Sequence, residues 1–68
     1  MYFRLRLVGS EWVVSLWEND NGLDRYYSSY VVTGNQEDGY DVYAQYDEDE
    51  CLYSDNSFER CLVWILNS

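Results

Sequence analysis

The side chains of this chain that can do chemistry are carboxylates, tyrosines, serines and two cysteines, because the sequence contains neither His nor Lys. Without those two residue types, the usual general bases and Schiff-base nucleophiles are absent. A cysteine nucleophile needs a thiol pKa that is lowered by a nearby cation or a helix N-terminus, and Arg60 is the only base beside Cys61 in an otherwise acidic region. A pair of carboxylates that cleaves glycosides needs a sugar-binding cleft, which so short a chain hardly builds. We therefore expect a protein that is not an enzyme.

Metal sites are also poorly supported by the spacing of the ligands. If the segment that starts at Trp17 is aligned with an EF-hand loop, Trp17 and Ser28 stand where that loop needs Asp and Glu. Two cysteines without His leave a tetrahedral zinc site half filled. Loose binding of a hard cation by the acidic residues 47–50 stays as an alternative. We expect no cofactor.

The carboxylates themselves are the strongest feature of the sequence. Thirteen Asp and Glu stand against four Arg, which gives a formal net charge of −9. Residues 26–59 contain no base, and their acids are Glu37, Asp38, Asp41, Asp47, Glu48, Asp49, Glu50, Asp55 and Glu59. Nucleic acids and anionic membranes are bound through Lys and Arg, so we expect this chain to bind neither. Its expected partners are basic proteins.

Tyrosines lie among these acids, and together they form the predicted partner-binding surface. Tyrosine contributes a large contact area and a polar group at low entropic cost, which is why it is enriched in binding surfaces. Carboxylates two residues apart on a strand are held about 6.7 Å from each other on one face. Such a row can replace a phosphate backbone in a basic cleft. The predicted surface comprises Glu37, Asp38, Asp41, Tyr43, Asp47, Glu48, Asp49, Glu50, Tyr53 and Asp55.

In composition, the chain resembles the small acidic proteins of phages and mobile elements, among them anti-CRISPR proteins and DNA mimics that disarm host defence or repair enzymes. The features that carry the resemblance are the acidic half without Lys or His and the block Asp47-Glu48-Asp49-Glu50. It implies an inhibitor or modulator that occupies the basic surface of a nucleic-acid-binding protein. For a phage-encoded protein, it also implies action in the host cytoplasm.

The alternative function is a protein-interaction or assembly module whose charge serves only solubility. Such a module would pair through an exposed strand edge or through an aromatic patch around Trp12, Trp17 and Trp64. A homodimer is one version of it. Salt distinguishes the two functions, because attraction between exposed charges is screened within about 8 Å at physiological ionic strength.

The first half of the chain has the pattern of β-hairpins. Residues Tyr2 to Val8 alternate, with Phe3, Leu5 and Leu7 on one side, which predicts a half-buried strand. After a turn at Gly9-Ser10, a second strand is expected over residues 11–18. The run of Asn and Gly at residues 19–22 then predicts a tight turn, and residues 26–33 a third strand.

A fourth strand is predicted over residues 40–47, after a loop at residues 34–39. Its alternation places Tyr40, Val42, Ala44 and Tyr46 toward the core, and it places Asp41, Tyr43, Gln45 and Asp47 toward solvent. A short fifth strand is expected at Leu52-Tyr53. The sheet is therefore expected to have four or five antiparallel strands.

The C-terminal segment is predicted to be a helix packed on one face of this sheet, and a buried strand is the alternative because residues 61–66 are a continuous apolar run. Asn56, with Glu59 three residues later, fits a capping box, and Asp55 is the alternative cap. The spacing of Phe58, Cys61, Leu62, Ile65 and Leu66 is typical of an amphipathic helix. The expected fold class is α+β, and an all-β small barrel is the alternative.

Residues 1–68 are expected to form a single acidic domain with one small core. Arg4 and Arg6 interrupt the N-terminal apolar residues, so a signal peptide is not predicted. No apolar stretch is long enough to span a membrane. Cys51 and Cys61 are expected to be free thiols, because small disulfide scaffolds usually carry more cysteines. We therefore expect a cytoplasmic protein.

Overall fold

The computed structural model describes all residues, 1–68, and contains an open antiparallel sheet with one C-terminal helix. The strands are paired in chain order, so each is joined to the next as in a meander. The sheet is not closed into a barrel, which confirms the predicted α+β class against its alternative. The elements are β1 (Tyr2–Val8), β2 (Glu11–Asp20), β3 (Leu23–Asn35), β4 (Gly39–Ala44), β5 (Tyr53–Asp55) and α1 (Phe58–Asn67).

The hairpin of β2 and β3 is longer at its tip than the sequence predicts. Asp20 pairs with Leu23, so that only Asn21 and Gly22 form the turn. Both have positive φ, at 54° and 82°, as the two central residues of a type I′ turn require. Asn19 and Asp20 were predicted as turn residues because their types favour turns, yet both lie in the ladder. A bulge between Leu16 and Trp17 shifts the register within this hairpin.

The second hairpin, β3–β4, has a shorter loop than predicted, and β4 ends earlier. β3 continues to Asn35 and β4 begins at Gly39, which leaves only residues 36–38 in the loop. After Ala44 the chain turns back, and the Asp47 amide donates to the Ala44 carbonyl at 3.1 Å. Tyr46 therefore lies beyond the strand with 89% of its surface exposed, and its predicted place in the core is wrong.

The helix is confirmed, but its cap differs from both predicted residues. Ser57 is the N-cap, and its Oγ accepts from the Arg60 amide at 3.3 Å. Asp55, two residues earlier, supports the cap, since its carboxylate accepts from the Ser57 amide at 2.9 Å. Cys61 and Ile65 are fully buried against the sheet, whereas Leu66 at the end of the predicted stripe is exposed.

The core lies between α1 and one face of the sheet. Val14, Leu16, Val32 and Val42 contribute the buried side chains of the sheet. Aromatic rings surround this centre: Phe58 packs against Trp12 and Tyr40, with ring centroids 5.8 and 5.4 Å apart. The predicted core position of Tyr40 is thereby confirmed.

Both cysteines are free thiols, as predicted, with Cys51 exposed and Cys61 buried in the core. The structure contains no helix whose length and apolar character would let it cross a membrane.

Candidate partner-binding surface

We call the side of the sheet that faces away from α1 the open face. On β4, Asp41 and Tyr43 lie on the open face, because Val42 between them is buried under the helix. The Ser54 hydroxyl donates to the Asp41 carboxylate at 2.6 Å, and the Cys51 thiol lies 3.8 Å from the same oxygen. Asp41 is therefore held in place and carries no ion pair.

Tyr43 is half-buried on the open face. Burial raises the pKa of its hydroxyl, and the negative charge of Asp41 raises it further.

The acidic turn, residues 47–50, follows the end of β4. All four side chains are exposed. Glu48 reaches back over the open face, where it borders a shallow depression together with Val13 and Val31 of the neighbouring strands. No group of three or more acidic or thiol side chains comes close enough together to hold a metal ion. The turn thus presents separate carboxylates toward solvent rather than a ligand cage.

Two predicted surface residues, Tyr53 and Asp55, lie on the opposite side of the sheet, next to the helix. Tyr53 pairs with buried Val42, and its ring stacks on that of Trp64 with centroids 5.4 Å apart. The Tyr53 hydroxyl donates to Asp55 at 2.8 Å. The Ser57 amide and this hydroxyl lower the pKa of Asp55, whose carboxylate in turn raises the pKa of Tyr53. These two residues hold the start of the helix and do not share the face of Asp41.

Glu37 and Asp38 lie in the β3–β4 turn. Asp38 shapes this turn through two hydrogen bonds with Asn35. The Asp38 backbone amide donates to the side-chain Oδ1 of Asn35 at 2.8 Å, and the side-chain Nδ2 of Asn35 donates to the Asp38 carboxylate at 3.2 Å. Glu37 is exposed and makes no side-chain hydrogen bond. The predicted set therefore divides into an open-face group with the acidic turn, a hairpin turn and a helix-side pair.

The ion pairs of the molecule lie in the other half of the chain. Arg4 contacts Asp24 at 3.4 Å, and Arg25 contacts Asp20 at 3.5 Å. No acid in residues 26–59 is within ion-pair distance of a base. The acids of that half are consequently without ion pairs, and Arg60 beside Glu59 is the cation that follows them in the chain.

A cluster of arginine and aromatic side chains on the open face was missed by the sequence reasoning. The Arg4 guanidinium lies 4.2 Å from the centre of the Trp17 ring, and Trp17 meets Tyr26 edge to face at 5.6 Å. Arg6 joins them along a groove of about 320 Å³, in which Ser29 is buried and accepts from the Tyr26 hydroxyl at 2.8 Å. The available signal was the alternation of Arg4 and Arg6 opposite the leucines of the first strand.

The three tryptophans do not form the single aromatic patch that the assembly hypothesis proposed. Trp12 and Trp64 pack on the helix side, whereas Trp17 lies on the open face with Arg4. That version of the hypothesis is wrong.

Comparison of the chain with protein-family models, curated proteins and solved structures finds no match in any of the three.

Proposed function

We propose that this protein inhibits or modulates a nucleic-acid-binding protein by occupying its basic surface. The observation that carries the proposal is that none of the nine acids in residues 26–59 forms an ion pair: Glu37, Asp38, Asp41, Asp47, Glu48, Asp49, Glu50, Asp55 and Glu59. Exposed carboxylates without partners repel one another and cost stability. A basic cleft removes that repulsion, because its Lys and Arg then face carboxylates as they would face phosphates.

The contact surface that we propose consists of Asp41 and Tyr43 on the open face together with the acidic turn, residues 47–50. Asp41 is held by Ser54, so little side-chain freedom is lost when it binds. Tyr43 contributes an amphipathic ring at the centre of the charges. Tyr53 and Asp55 act through the fold, since both are engaged with the helix and with each other.

A narrower form of the proposal places the protein in the cytoplasm of a phage-infected cell, where it would disarm a defence nuclease, in the manner of anti-CRISPR inhibitors. Free thiols support an intracellular location, because disulfides are rare there. The charge supports a partner that is a basic protein, with no direct binding of nucleic acid or of membranes.

The test is capture of partners from bacterial lysate on immobilised protein at low and at high salt, followed by displacement with DNA or RNA. We expect a nucleic-acid-binding protein that is retained at low salt and released by either competitor. Reversal of Asp41, Asp47 and Asp49 to Lys should abolish this capture and leave the fold intact. The matched control reverses Glu18, Glu37 and Glu59, which are exposed, form no ion pair and lie outside the proposed contact surface, and it makes the same change in net charge. Phosphate mimicry is the wrong mechanism if the first variant still captures the partner, or if both variants lose it equally.

The second candidate is an interaction or assembly module, and the exposed apolar side chains of β1 favour it. Leu5 and Leu7 face the helix side of the sheet, yet they are 46% and 54% exposed because α1 does not reach them. A salt-resistant partner, or a homodimer seen by sedimentation at both salt concentrations, would support this function instead.

A further inference from the structure

The outer edge of β1 is an unpaired strand edge that runs the full length of the strand. β1 pairs only with β2, and it stands at one end of the strand order. Its seven residues compare with three in β5, the edge strand at the other end. Unpaired amide and carbonyl groups along such an edge are a template for one further strand.

The side chains of β1 carry a different chemistry on each side. Leu5 and Leu7 lie on the helix side and are about half exposed. Arg4 and Arg6 lie on the open face, at the rim of the groove that contains Trp17. Arg6 forms no ion pair. An added strand would therefore meet apolar side chains on one side and guanidinium groups on the other.

A second copy of β1 fits this edge poorly. In an antiparallel two-fold pairing that keeps like faces together, centring on Leu5 places Arg4 opposite Arg6. Centring on either arginine places that arginine opposite its own copy. A two-fold axis at Phe3 or at Leu7 avoids these contacts, but it pairs only one end of the strand with its copy. Like charges directly opposite each other destabilise a strand pair, so full-length pairing of two copies is disfavoured.

We propose that the outer edge of β1 binds an extended segment of a partner protein in which acidic side chains alternate with apolar ones. An acidic side chain pairs with Arg6, a second one joins Asp24 beside Arg4 on the open face, and the apolar ones cover Leu5 and Leu7. The backbone edge of β1 supplies the hydrogen bonds.

This inference deepens the assembly candidate. It rests on the edge of β1 and not on Asp41 and Tyr43, which belong to β4. Only Glu48 of the acidic turn comes near, because it borders the same depression as Val13, the β2 partner of Arg6.

The probe is a synthetic peptide in which Val and Glu alternate over the length of β1, titrated into ¹⁵N-labelled protein. We expect the largest amide shifts within residues 2–8, together with a shift of the Trp17 indole. A peptide of alternating Val and Lys should not bind. Two further Val–Glu peptides are N-methylated at alternate residues, one at the Val positions and one at the Glu positions. Only one of them should lose binding, because only one pattern removes the amides that face β1.

Arg6→Glu tests the charge pairing. It should weaken binding of the Val–Glu peptide by about five- to tenfold, because an attractive cross-strand pair becomes a repulsive one, and it should allow the Val–Lys peptide to bind. The matched control is Arg60→Glu, which makes the same charge change on the helix and should leave both affinities unaltered. Equal effects of the two variants, retained binding by both methylated peptides, or shifts in β1 that depend on protein concentration alone would each overturn the proposal. The last outcome would assign the edge to a second copy.

Discussion

Asp55 shows how a residue chosen from the sequence as part of a binding surface acts within the fold. Its carboxylate accepts from the Ser57 amide at 2.9 Å and from the Tyr53 hydroxyl at 2.8 Å. These bonds lower its pKa below the usual 3.8. A carboxyl with a lowered folded-state pKa stabilises the fold above its unfolded-state pKa, and this stabilisation is lost as the pH falls through the folded value.

We therefore expect Asp55→Asn to lower the free energy of unfolding at pH 7, by an amount that shrinks as the pH falls below 3.8. Urea denaturation at a series of pH values measures this difference. Asp49→Asn is the matched control, because Asp49 is exposed and makes no side-chain hydrogen bond, and it should not destabilise the protein at pH 7. A difference between Asp55→Asn and the native protein that is constant with pH would mean that the charge of Asp55 is not what supports the helix.

At the scale of the elements, Gly34 determines how β3 and β4 approach each other. Its φ is +105°, and a Cβ built there would collide with the backbone carbonyl oxygen of Gly39. We expect Gly34→Ala to lower the free energy of unfolding by about 1–3 kcal/mol. The causes are strain in the backbone at positive φ and any displacement of β4 that relieves the collision. Thermal unfolding followed by circular dichroism measures the loss.

Gly9→Ala is the comparison for Gly34→Ala. Gly9 also has positive φ, at +64°, but a Cβ there meets open space. Gly9→Ala should therefore lower the free energy of unfolding by less than Gly34→Ala does. Equal decreases would show that the close contact with Gly39 has no influence on stability.

The sequence predicted the elements where pattern and turn residues agree. β1 has its predicted bounds because alternation runs without a break up to Gly9, and the helix follows from its apolar stripe. The errors lie at ends that depend on pairing. Asn19 and Asp20 extend β2 because β3 is opposite them, and β4 stops at Ala44 because the chain turns back at Asp47. The turn and strand preferences of single residues contain no information on which segment lies opposite them.

The candidate surface was predictable in composition but not in arrangement. Asp41 and Tyr43 were placed on one face by alternation within a strand, and the structure agrees. Tyr53 and Asp55 were grouped with them through their residue types, whereas the pairing of Tyr53 with Val42 sets them beside the helix. The Arg4–Trp17 contact joins strands through register, which composition does not reveal.

At the scale of the whole molecule, the net charge of −9 is opposed by only two ion pairs, both between exposed side chains. Exposed ion pairs contribute little to the free energy of unfolding, so little stability is lost when salt screens them. Repulsion among the unpaired acids extends over longer distances and is therefore the larger salt-dependent contribution. The acidic turn, residues 47–50, is its densest part along the chain.

We accordingly expect the melting temperature to rise when NaCl is raised from about 0.01 M to about 1 M, since the Debye length falls from about 30 Å to about 3 Å. Replacement of Asp47, Glu48, Asp49 and Glu50 by their amides should raise the melting temperature at low salt and reduce its rise with salt. The same variant should lose the proposed partner. A gain in stability together with loss of the partner would support the proposed mimicry of phosphates. If the amide variant is no more stable at low salt, the acids do not repel one another measurably and the turn serves solubility alone.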